Sequence, residues 1–303
     1  MTAAAWSARS LLGKAFGPRM AVRAKTTATT AILLVAAACV LIPIYWLIVA
    51  SSKDTSQLFS TNTFLLPSHP SWSANFSSLF SYESGDYKWW FLNSFIYASV
   101  TATLATVVST MAGYGLAKYE FGGRRAAIGL VMGTLMVPAT ALVVPLFLLE
   151  HYMGLTDTYQ GVILPLIVYP FGVYFMSIYA AEAVPDALLE SARIDGAGEF
   201  RALWKVGRPI LVPGMATLFL LSFIATWNNY FLPLVLLGTE TRFPLTVGLS
   251  AWAATLNEVG AGEPLYSNLI LGSLISVLPM LVLFPFLQKY VARGLTFGAI
   301  AGE

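Results

Sequence analysis

Long stretches without a charged residue alternate along this chain with short stretches in which the charged residues are concentrated. Six of the uncharged stretches are long enough to cross a bilayer, because a membrane-spanning helix needs about 20 predominantly apolar residues. They cover residues 26–52, 89–117, 126–149, 158–181, 209–239 and 264–288. The pattern predicts an all-α polytopic membrane protein with six transmembrane helices.

Proline interrupts most of these stretches, and each proline removes one backbone donor from its helix. Those well inside the stretches include Pro43, Pro138, Pro145, Pro165, Pro170, Pro233, Pro279 and Pro285. A backbone group freed at membrane depth needs a partner from a neighbouring helix or from water. We expect most of these prolines to kink their helices and a few to line a cavity.

Composition agrees with a membrane protein and narrows the chemistry. The chain has 303 residues, of which 57% are apolar and 11% charged, against roughly a quarter charged in soluble domains. The formal net charge of +2 provides no field of one sign that would bind nucleic acid. Cys39 is the only cysteine, which excludes an internal disulfide or a thiolate metal site.

The basic residues lie mainly on one side of the predicted helices. Fourteen of the seventeen fall in the N-terminal tail, residues 1–25, and in 118–125, 182–208 and the C-terminal tail, residues 289–303. Because loops rich in lysine and arginine stay in the cytoplasm, both tails and the 182–208 loop are predicted to be cytoplasmic. The first apolar stretch is too long for a signal peptide core, so it is interpreted as a retained first span. Residues 26–288 are then a six-span domain in the cell membrane.

The first external connection, residues 53–88, is the longest and is rich in aromatic residues. Its aromatic residues, together with the two tryptophans that follow, are Trp72, Phe76, Phe80, Tyr82, Tyr87, Trp89 and Trp90. An aromatic belt at the membrane surface would explain them. A binding surface for an external partner is the second interpretation of the same residues.

Several classes of function lack the residues that they require. None of the six stretches carries an acidic or basic residue, which argues against a proton-driven carrier. An intramembrane hydrolase would need a nucleophile, paired acids or metal ligands in the spans, and His69 and His151 are both predicted in external connections. The sequence contains no GxxxxGK[ST] phosphate loop, so the chain is not itself a P-loop ATPase.

The cytoplasmic segment has a pattern of its own, VPDALLESARIDGAGEFRALWKVGRP. Pro185 suits the first position of a helix, and Glu190 is spaced to pair with Arg193 one turn later. Gly196 would end this helix in the left-handed conformation.

A second short helix is predicted to carry Phe200, Leu203 and Trp204, and to end at Gly207 and Pro209. Helix connections are commonly 2–8 residues long, whereas this one is far longer. We therefore expect a helical knob that presents a surface to a partner, and a source of energy outside this chain.

This segment resembles the cytoplasmic loop of the membrane subunits of binding-protein-dependent ABC importers. The family pattern begins Glu-Ala-Ala and continues to a glycine and a Leu-Pro pair, and Glu190, Ala192, Gly196 and Pro209 are in register with it. The departures from it are Ser191, Val206 and Arg208. Further segments similar to the same family are Asn93-Ser94, 112–125, 154–165, 226–237 and the maltose-type tail at 293–302.

The resemblance implies the type I ABC importer transmembrane fold and a set of partners. These are a second permease subunit, ATPase subunits that bind ATP and magnesium, and an extracytoplasmic solute-binding protein, with no cofactor in this chain. The ATPase-coupling residues would be Glu190, Ser191, Ala192, Asp195 and Gly196. The tail residues that would contact the ATPase are Leu295, Thr296, Gly298 and Ala299, although by composition alone they form a disordered tail.

The solute path is placed by the resemblance in the fifth span. The candidate residues are Trp227, Asn228, Asn229 and Tyr230, beside Thr226. Their polar groups either make hydrogen bonds between helices or line the path of a hydroxylated ring, and both interpretations stay open. The implied solute is a sugar, a di- or oligosaccharide first. The alternatives are another polar solute, such as a polyol, an amino sugar or a glycerophosphodiester, and a passive channel.

Overall fold

The computed structural model describes the backbone of residues 18–256 and 264–300, and side chains in 26–256, 265–285 and at Gln288. The chain divides into two compact units, Met1–Trp72 and Ser73–Glu303. No strand occurs in the described part of the chain, which confirms the all-α class. The predicted N-terminal tail, residues 1–25, lies outside the described residues up to position 17 and begins the first helix at Pro18.

Fourteen α-helices account for the described architecture. In the first unit α1 is Pro18–Ser51 and α2 is Thr55–Ser60. The following elements are α3 (Trp72–Ser81), α4 (Asp86–Lys118), α5 (Arg124–Leu135), α6 (Val143–Tyr152), α7 (Tyr159–Ile167), α8 (Pro170–Ala183), α9 (Asp186–Ile194), α10 (Glu199–Ala202), α11 (Arg208–Trp227), α12 (Phe231–Leu236), α13 (Leu245–Thr255) and α14 (Pro264–Ile300).

Six spans are present if one broken pair is counted as a single span. Five stretches of the described chain are long and apolar enough to cross a membrane, and these are Thr26–Ser51, Trp72–Lys118, Tyr159–Ala183, Glu199–Trp227 and Leu265–Pro285. The sixth is the pair Arg124–Leu135 and Ala139–Tyr152, bent by 95°. Six transmembrane helices were predicted, and the structure has five with this bent pair.

The third predicted span, residues 126–149, is therefore not one straight helix. It breaks at Pro138, whose backbone is extended with φ −60° and ψ 126°. Proline cannot donate a helical hydrogen bond and disfavours helical geometry in the residue before it. Helix α6 also extends past the predicted end, so that Glu150 and His151 lie on a helix and not in a connection, and Glu150 is buried.

The fifth predicted span, residues 209–239, is also displaced. The helix begins earlier, at Glu199, and ends at Trp227, after which α12 is a separate short helix. Pro233 has no N–H to bond the carbonyl of Asn229, and that oxygen accepts a hydrogen bond from Thr246 Oγ1 at 2.7 Å. The freed group thus finds a side-chain partner, as backbone within a membrane protein requires.

Helix α4 is the centre of the second unit. It packs against α7, α8, α11 and α13, and small residues permit a close approach. A β-carbon on Gly113 would lie 2.7 Å from the backbone nitrogen of Ser177. Near the start of α4, Tyr87 and Trp90 are buried beside Trp252 in an aromatic core. Tyr87 thus belongs to packing, whereas Phe76, Phe80 and Trp89 of the predicted aromatic belt stay partly exposed.

Candidate functional site

The charged segment, residues 182–208, folds into a short helix that ends in a left-handed turn. Helix α9 begins at Asp186, with Pro185 extended immediately before it and not within its first turn as expected. Gly196 has φ +79°, which confirms the predicted helix end. Ala197 N donates to Ala192 O at 2.9 Å and Gly196 N to Arg193 O at 3.0 Å, the pair of hydrogen bonds that defines a Schellman motif.

One face of α9 is held in the core and the other is open. Leu189 is buried among side chains of α8, α11 and the end of α4, whereas Glu190, Ser191 and Asp195 are exposed. Ser191 Oγ donates to the Ala187 carbonyl at 2.8 Å, so the hydroxyl that replaces the family's alanine is satisfied within the helix. Of the five predicted coupling residues, Glu190, Ser191 and Ala192 thus lie on α9, and Asp195 and Gly196 lie in the turn that ends it.

The predicted ion pair between Glu190 and Arg193 does not form. Arg193 instead binds Glu199 across the turn, with Nε to Oε1 at 2.9 Å and Nη2 to Oε2 at 3.1 Å. The turn at Gly196 brings Glu199 back beside α9, where it offers both carboxylate oxygens to the planar guanidinium group. In the described structure the Glu190 carboxylate has no ion pair, which leaves it available to a partner.

The second helix of the segment does not end at Gly207 and Pro209. The chain passes from α10 through a π turn at Leu203–Gly207 into α11, and Arg208 N donates to Leu203 O five residues back. Gly207 is right-handed helical, with φ −67° and ψ −52°. Pro209 falls in the first turn of α11, where a missing N–H is tolerated. The predicted knob is thus rigidly continuous with a span.

Four apolar side chains of the charged segment are exposed. They are Leu188, Ile194, Phe200 and Trp204. Ile194 is the most open at 86% exposure, and the rings of Phe200 and Trp204 stack with centroids 6.2 Å apart. Apolar groups exposed beside charged residues are candidates for an interaction surface. The helical spacing identified Phe200 and Trp204, but Ile194 was missed because it lies at the helix end.

The end of α4 fixes this segment at two points, which we call the clasp (Lys118, Tyr119, Asp186, Arg193 and Glu199). Lys118 Nζ bonds Asp186 Oδ1 at 2.8 Å, and the Lys118 side chain is only 4% exposed. Tyr119 Oη donates to Glu199 Oε2 at 2.8 Å. A hydrogen bond from Lys118 holds the pKa of Asp186 below its ordinary value, and hydrogen bonds from Arg193 and then Tyr119 lower the pKa of Glu199.

The candidate solute residues do not converge on one site. Trp227 is buried, stacked on Phe223 with centroids 5.8 Å apart and edge-on to Phe91 at 6.0 Å. Asn228 is exposed and donates to the Ile224 carbonyl at 2.9 Å. Asn229 is partly exposed, and the Tyr230 hydroxyl lies 3.1 Å from Ser250 Oγ. Trp227 packs in the core, whereas the other three lie where α11 breaks.

At the other end of α4 a second hydrogen-bonded group fixes the loop before α13, which we call the node (Trp90, Asn93, Ser94, Tyr97 and Tyr159). Asn93 Nδ2 donates to the carbonyls of Thr241 at 2.8 Å and Phe243 at 3.1 Å, and its Oδ1 accepts from Tyr159 Oη at 2.7 Å. The Trp90 and Tyr97 side chains and the Ser94 hydroxyl also bond this loop. The family motifs at Asn93-Ser94 and 154–165 indicated that these residues matter, but they did not indicate that the two motifs are in contact.

Asp157 extends the node from the connection before α7. Its φ is +56°, and its carboxylate accepts from Gly238 N at 3.1 Å, Thr239 Oγ1 at 2.6 Å and Arg242 Nη1 at 2.8 Å. Desolvation raises the pKa of Asp157, but these bonds and the Arg242 charge outweigh it and lower that pKa overall. The loop is therefore anchored by an ionised carboxylate.

The backbone of the predicted tail is helical and not disordered as far as Ile300. Helix α14 continues to Ile300, so the backbone of Leu295, Thr296, Gly298 and Ala299 is helical. The side chains of these four residues lie outside the described part of the structure, as do residues 301–303.

Known proteins are similar to this chain in sequence, and one solved structure is similar to it in fold. Residues 105–297 match the family described as binding-protein-dependent transport system inner membrane component. The arabinooligosaccharides transport system permease protein AraQ of Bacillus subtilis (strain 168) is 38% identical over 264 residues, 86% of this chain and 91% of that protein. The trehalose transport system permease protein SugB of Mycobacterium tuberculosis (strain CDC 1551 / Oshkosh) is 33% identical, covering 86% and 93%.

A solved structure agrees with the sequence relatives. A bacterial ABC transporter involved in the import of the acidic polysaccharide alginate superimposes with a TM-score of 0.79 and 26% identity, covering 88% of this chain and 96% of that one. The chain belongs to the family of binding-protein-dependent transport system inner membrane components, the permease subunits of ABC importers.

Proposed function

We propose that this chain is the permease subunit of an ATP-driven sugar importer and that α9 receives the movement of a cytoplasmic ATPase. The observation that carries this proposal is the two-sided α9. Leu189, Ala192 and the Lys118–Asp186 pair hold one side, while Glu190, Ser191, Asp195 and Gly196 are exposed. The partners would be a second permease, ATP-binding subunits that supply ATP and magnesium chemistry, and an extracytoplasmic solute-binding protein.

The docking surface on α9 would combine charge and apolar contact. Glu190, Ser191, Ala192, Asp195 and Gly196 would face the ATPase cleft. Ile194 and the stacked Phe200–Trp204 pair would add an apolar contact beside them. Because Glu190 makes no ion pair in the described structure, it is free to bind a basic group of the ATPase without breaking a bond within this chain.

Charge reversal tests this docking. Glu190→Lys should lower copurification with the ATPase and the stimulation of ATP hydrolysis by the solute-loaded binding protein, because it puts a like charge before the basic partner group. Glu182→Lys is the matched control, since Glu182 is exposed but lies before α9. Equal copurification and equal stimulation of the two variants would exclude α9 as the docking helix, and absence of any ATPase from the purified wild-type complex would favour a passive channel.

The sugar class is supported by the names of the relatives. One is a permease for arabinooligosaccharides and another for trehalose. We propose a di- or oligosaccharide, with polyols, amino sugars and glycerophosphodiesters as the alternatives. Titrating the cognate solute-binding protein with arabinotriose, trehalose, sorbitol, N-acetylglucosamine and glycerophosphocholine discriminates between them. Saturable binding of one of the last three alone would replace the sugar assignment.

The break after α11 is the proposed place where the solute passes. Asn228, Asn229 and Tyr230 offer amide and hydroxyl groups there, while Trp227 stays in the aromatic core. Asn228→Ala combined with Asn229→Ala should lower uptake and leave basal ATP hydrolysis unchanged, because backbone bonds at the break are retained. Unchanged uptake would assign the amides to packing alone.

The orientation follows from the distribution of basic residues. We propose that both ends of the chain and the charged segment face the cytoplasm, and that the node faces the outside. Leu295, Thr296, Gly298 and Ala299 would then reach the ATPase from the end of α14. A membrane-impermeant thiol reagent applied to intact cells should label Thr241→Cys and not Ile194→Cys; the reverse pattern would invert the topology.

A further inference from the structure

Among the six spans of the described residues, the one that contains α4 has no proline. The other five spans contain Pro43, Pro138 and Pro145, Pro165 and Pro170, Pro209 and Pro213, or Pro279 and Pro285. Sharp helix kinks occur almost always at proline, at glycine–serine pairs or at π turns. The 33 residues of α4 form a single α-helix. Its backbone hydrogen bonds are therefore continuous from the node to the clasp.

The first end of α4 is fixed by bonds to a loop far along the chain. Four of its side chains, on Trp90, Asn93, Ser94 and Tyr97, bond the backbone of residues 240–245. Asn93 is fully buried and uses both atoms of its amide. A displacement of this end of α4 would therefore break several bonds unless the loop moved with it.

The last turn of α4 is fixed to the charged segment in the same way. Lys118 bonds the start of α9 through Asp186 and the end of α8 through the carbonyl of Ala181. Tyr119 bonds Glu199, which is held by Arg193 at the end of α9. Both ends of α9 are thus tied to two consecutive residues at the end of one span.

The two fixed ends lie far apart along α4. From Asn93 to Tyr119 the helix rises by about 39 Å, at roughly 1.5 Å per residue. The face between them is buried along its length and includes Ala98, Ala102, Ala105, Ser109 and Gly113. Because the residues are small and closely packed, α4 can transmit axial and rotational movement without bending.

We propose that α4 is the strut that carries ATP-driven movement of α9 to the external loop at residues 238–245. Lys118 and Tyr119 are its positioning residues at the cytoplasmic end, and Asn93 is its counterpart outside. The proposal rests on the proposed function, since it requires an ATPase docked on α9. It assigns this transfer to α4, in addition to the direct continuity of the charged segment with α11.

The test measures the external loop while ATP acts on the other side. The full importer, with Cys39→Ser and Thr241→Cys in this chain, is placed in lipid nanodiscs. The rate of labelling of Thr241→Cys by an impermeant maleimide is measured with and without ATP, magnesium and vanadate. We expect this state change to alter the rate by about fivefold or more, the size of a typical coupling between distant sites. Thr241 is exposed, and only its carbonyl serves the node.

Removing the clasp should uncouple that response. Lys118→Met with Tyr119→Phe, or Tyr119→Phe alone, should bring the ATP-dependent rate ratio below about twofold while the complex still assembles and hydrolyses ATP. Tyr152→Phe is the matched control, because Tyr152 is 91% exposed. Tyr159→Phe, which removes a bond of the node, should have the same effect as Tyr119→Phe and add nothing to it.

Three results would overturn the strut. They are a wild-type ratio in both clasp variants, an additive loss in the combination of Tyr119→Phe with Tyr159→Phe, and a ratio of one in the unaltered, assembled importer. Failure of the wild-type chain to copurify with an ATPase subunit is a different result, because it contradicts the proposed function before α4 is considered.

Discussion

Gly196 and Gly198 are two residues apart, and each has open space where a β-carbon would stand. They differ in backbone conformation, since Gly196 has φ +79° and Gly198 has φ −69°. Gly196→Ala should therefore cost about 1 kcal/mol of local stability, because L-residues are disfavoured in the left-handed region. Gly198→Ala should cost less, about 0.5 kcal/mol, because Gly198 is only the N-cap of α10. Gly196→Asn should recover part of the loss.

Amide hydrogen exchange of residues 186–199 measures this difference. Faster exchange in Gly196→Ala than in Gly198→Ala, with uptake reduced in parallel, is the expected result. Equal exchange in the two alanine variants would show that the left-handed turn does not hold α9 in place.

The clasp should be insensitive to pH across the physiological range. Its carboxylates have pKa values below their ordinary values of 3.8 for Asp186 and 4.5 for Glu199. A carboxylate with a lowered folded-state pKa contributes stability that is present above its ordinary pKa and is lost as pH falls through the folded value. Protection of α9 against exchange, corrected for the intrinsic pH dependence, should stay constant from pH 8 to 5 and fall only below about pH 4.

The Asp186→Asn variant provides the control for that measurement, because it removes one of the two titrating groups. A loss of protection that begins above pH 5 would mean that another group controls the clasp.

Single residues were predictable where the backbone dictated them and unpredictable where several partners were within reach. Gly196 followed from the need of a helix end for a residue that tolerates positive φ. The partner of Arg193 could not be predicted, because Glu190 on the same helix and Glu199 after the turn are both close enough in sequence to reach it. Only the path of the turn selects Glu199. The role of Asn93 was not predictable either, since its partners lie 66 to 150 positions away.

Helices in this protein approach one another on glycine, and α4 contains a matched pair. A β-carbon on Gly113 would lie 2.7–2.8 Å from backbone atoms of Met176 and Ser177, whereas one on Gly115 would contact nothing. Gly113→Ala should destabilise the chain by about 1–3 kcal/mol, because α4 and α8 would have to separate. Gly115→Ala should be neutral or stabilising by about 0.5 kcal/mol, since alanine favours the helix.

Thermal unfolding of the two variants in detergent provides the comparison. A lower midpoint for Gly113→Ala than for Gly115→Ala is expected. If both variants unfold at the same temperature, close packing of α4 on α8 is not what fixes this pair of helices.

At the level of helices, the apolar pattern located every span but not how the spans break. Pro138 and Pro145 lie in one predicted span, yet the 95° bend occurs at Pro138. Proline lowers the cost of a break, and neighbouring helices decide whether it opens. The π turn at Leu203–Gly207 was not predictable either, because glycine followed by proline usually ends a helix. Here the helix absorbs the pair and continues.

For the whole molecule, the length of α14 gives a further prediction. Deleting residues 296–303 should reduce ATP-driven uptake and leave the spans intact, because α14 loses only its last turn beyond the apolar stretch Leu265–Pro285. Deleting residues 301–303 alone is the control. Uptake by proteoliposomes and the thermal unfolding midpoint are measured together; wild-type uptake by the longer deletion would assign no role to this end of the helix.

The class of the whole molecule, a polytopic membrane protein, could be predicted from the sequence, because a helix in lipid requires a long uncharged stretch. Uncharged stretches of sufficient length and the side on which lysine and arginine gather are properties of composition. The candidate solute path could not be predicted, because the sequence does not show which of the aromatic residues Trp227 and Tyr230 is buried in the core. In the folded chain one ring is stacked in the core and the other places its hydroxyl beside Ser250.

The π turn between α10 and α11 also determines the angle, about the helix axis, at which the side chains before it point relative to α11. A π turn accommodates one residue more than the α-helical ladder does, and one residue corresponds to about 100° of rotation about the helix axis. The direction in which Phe200 and Trp204 point, relative to the span that follows, therefore depends on a single residue of chain length. Loss of one residue from 203–207 would turn this aromatic pair to a different side of the protein while leaving every span in place.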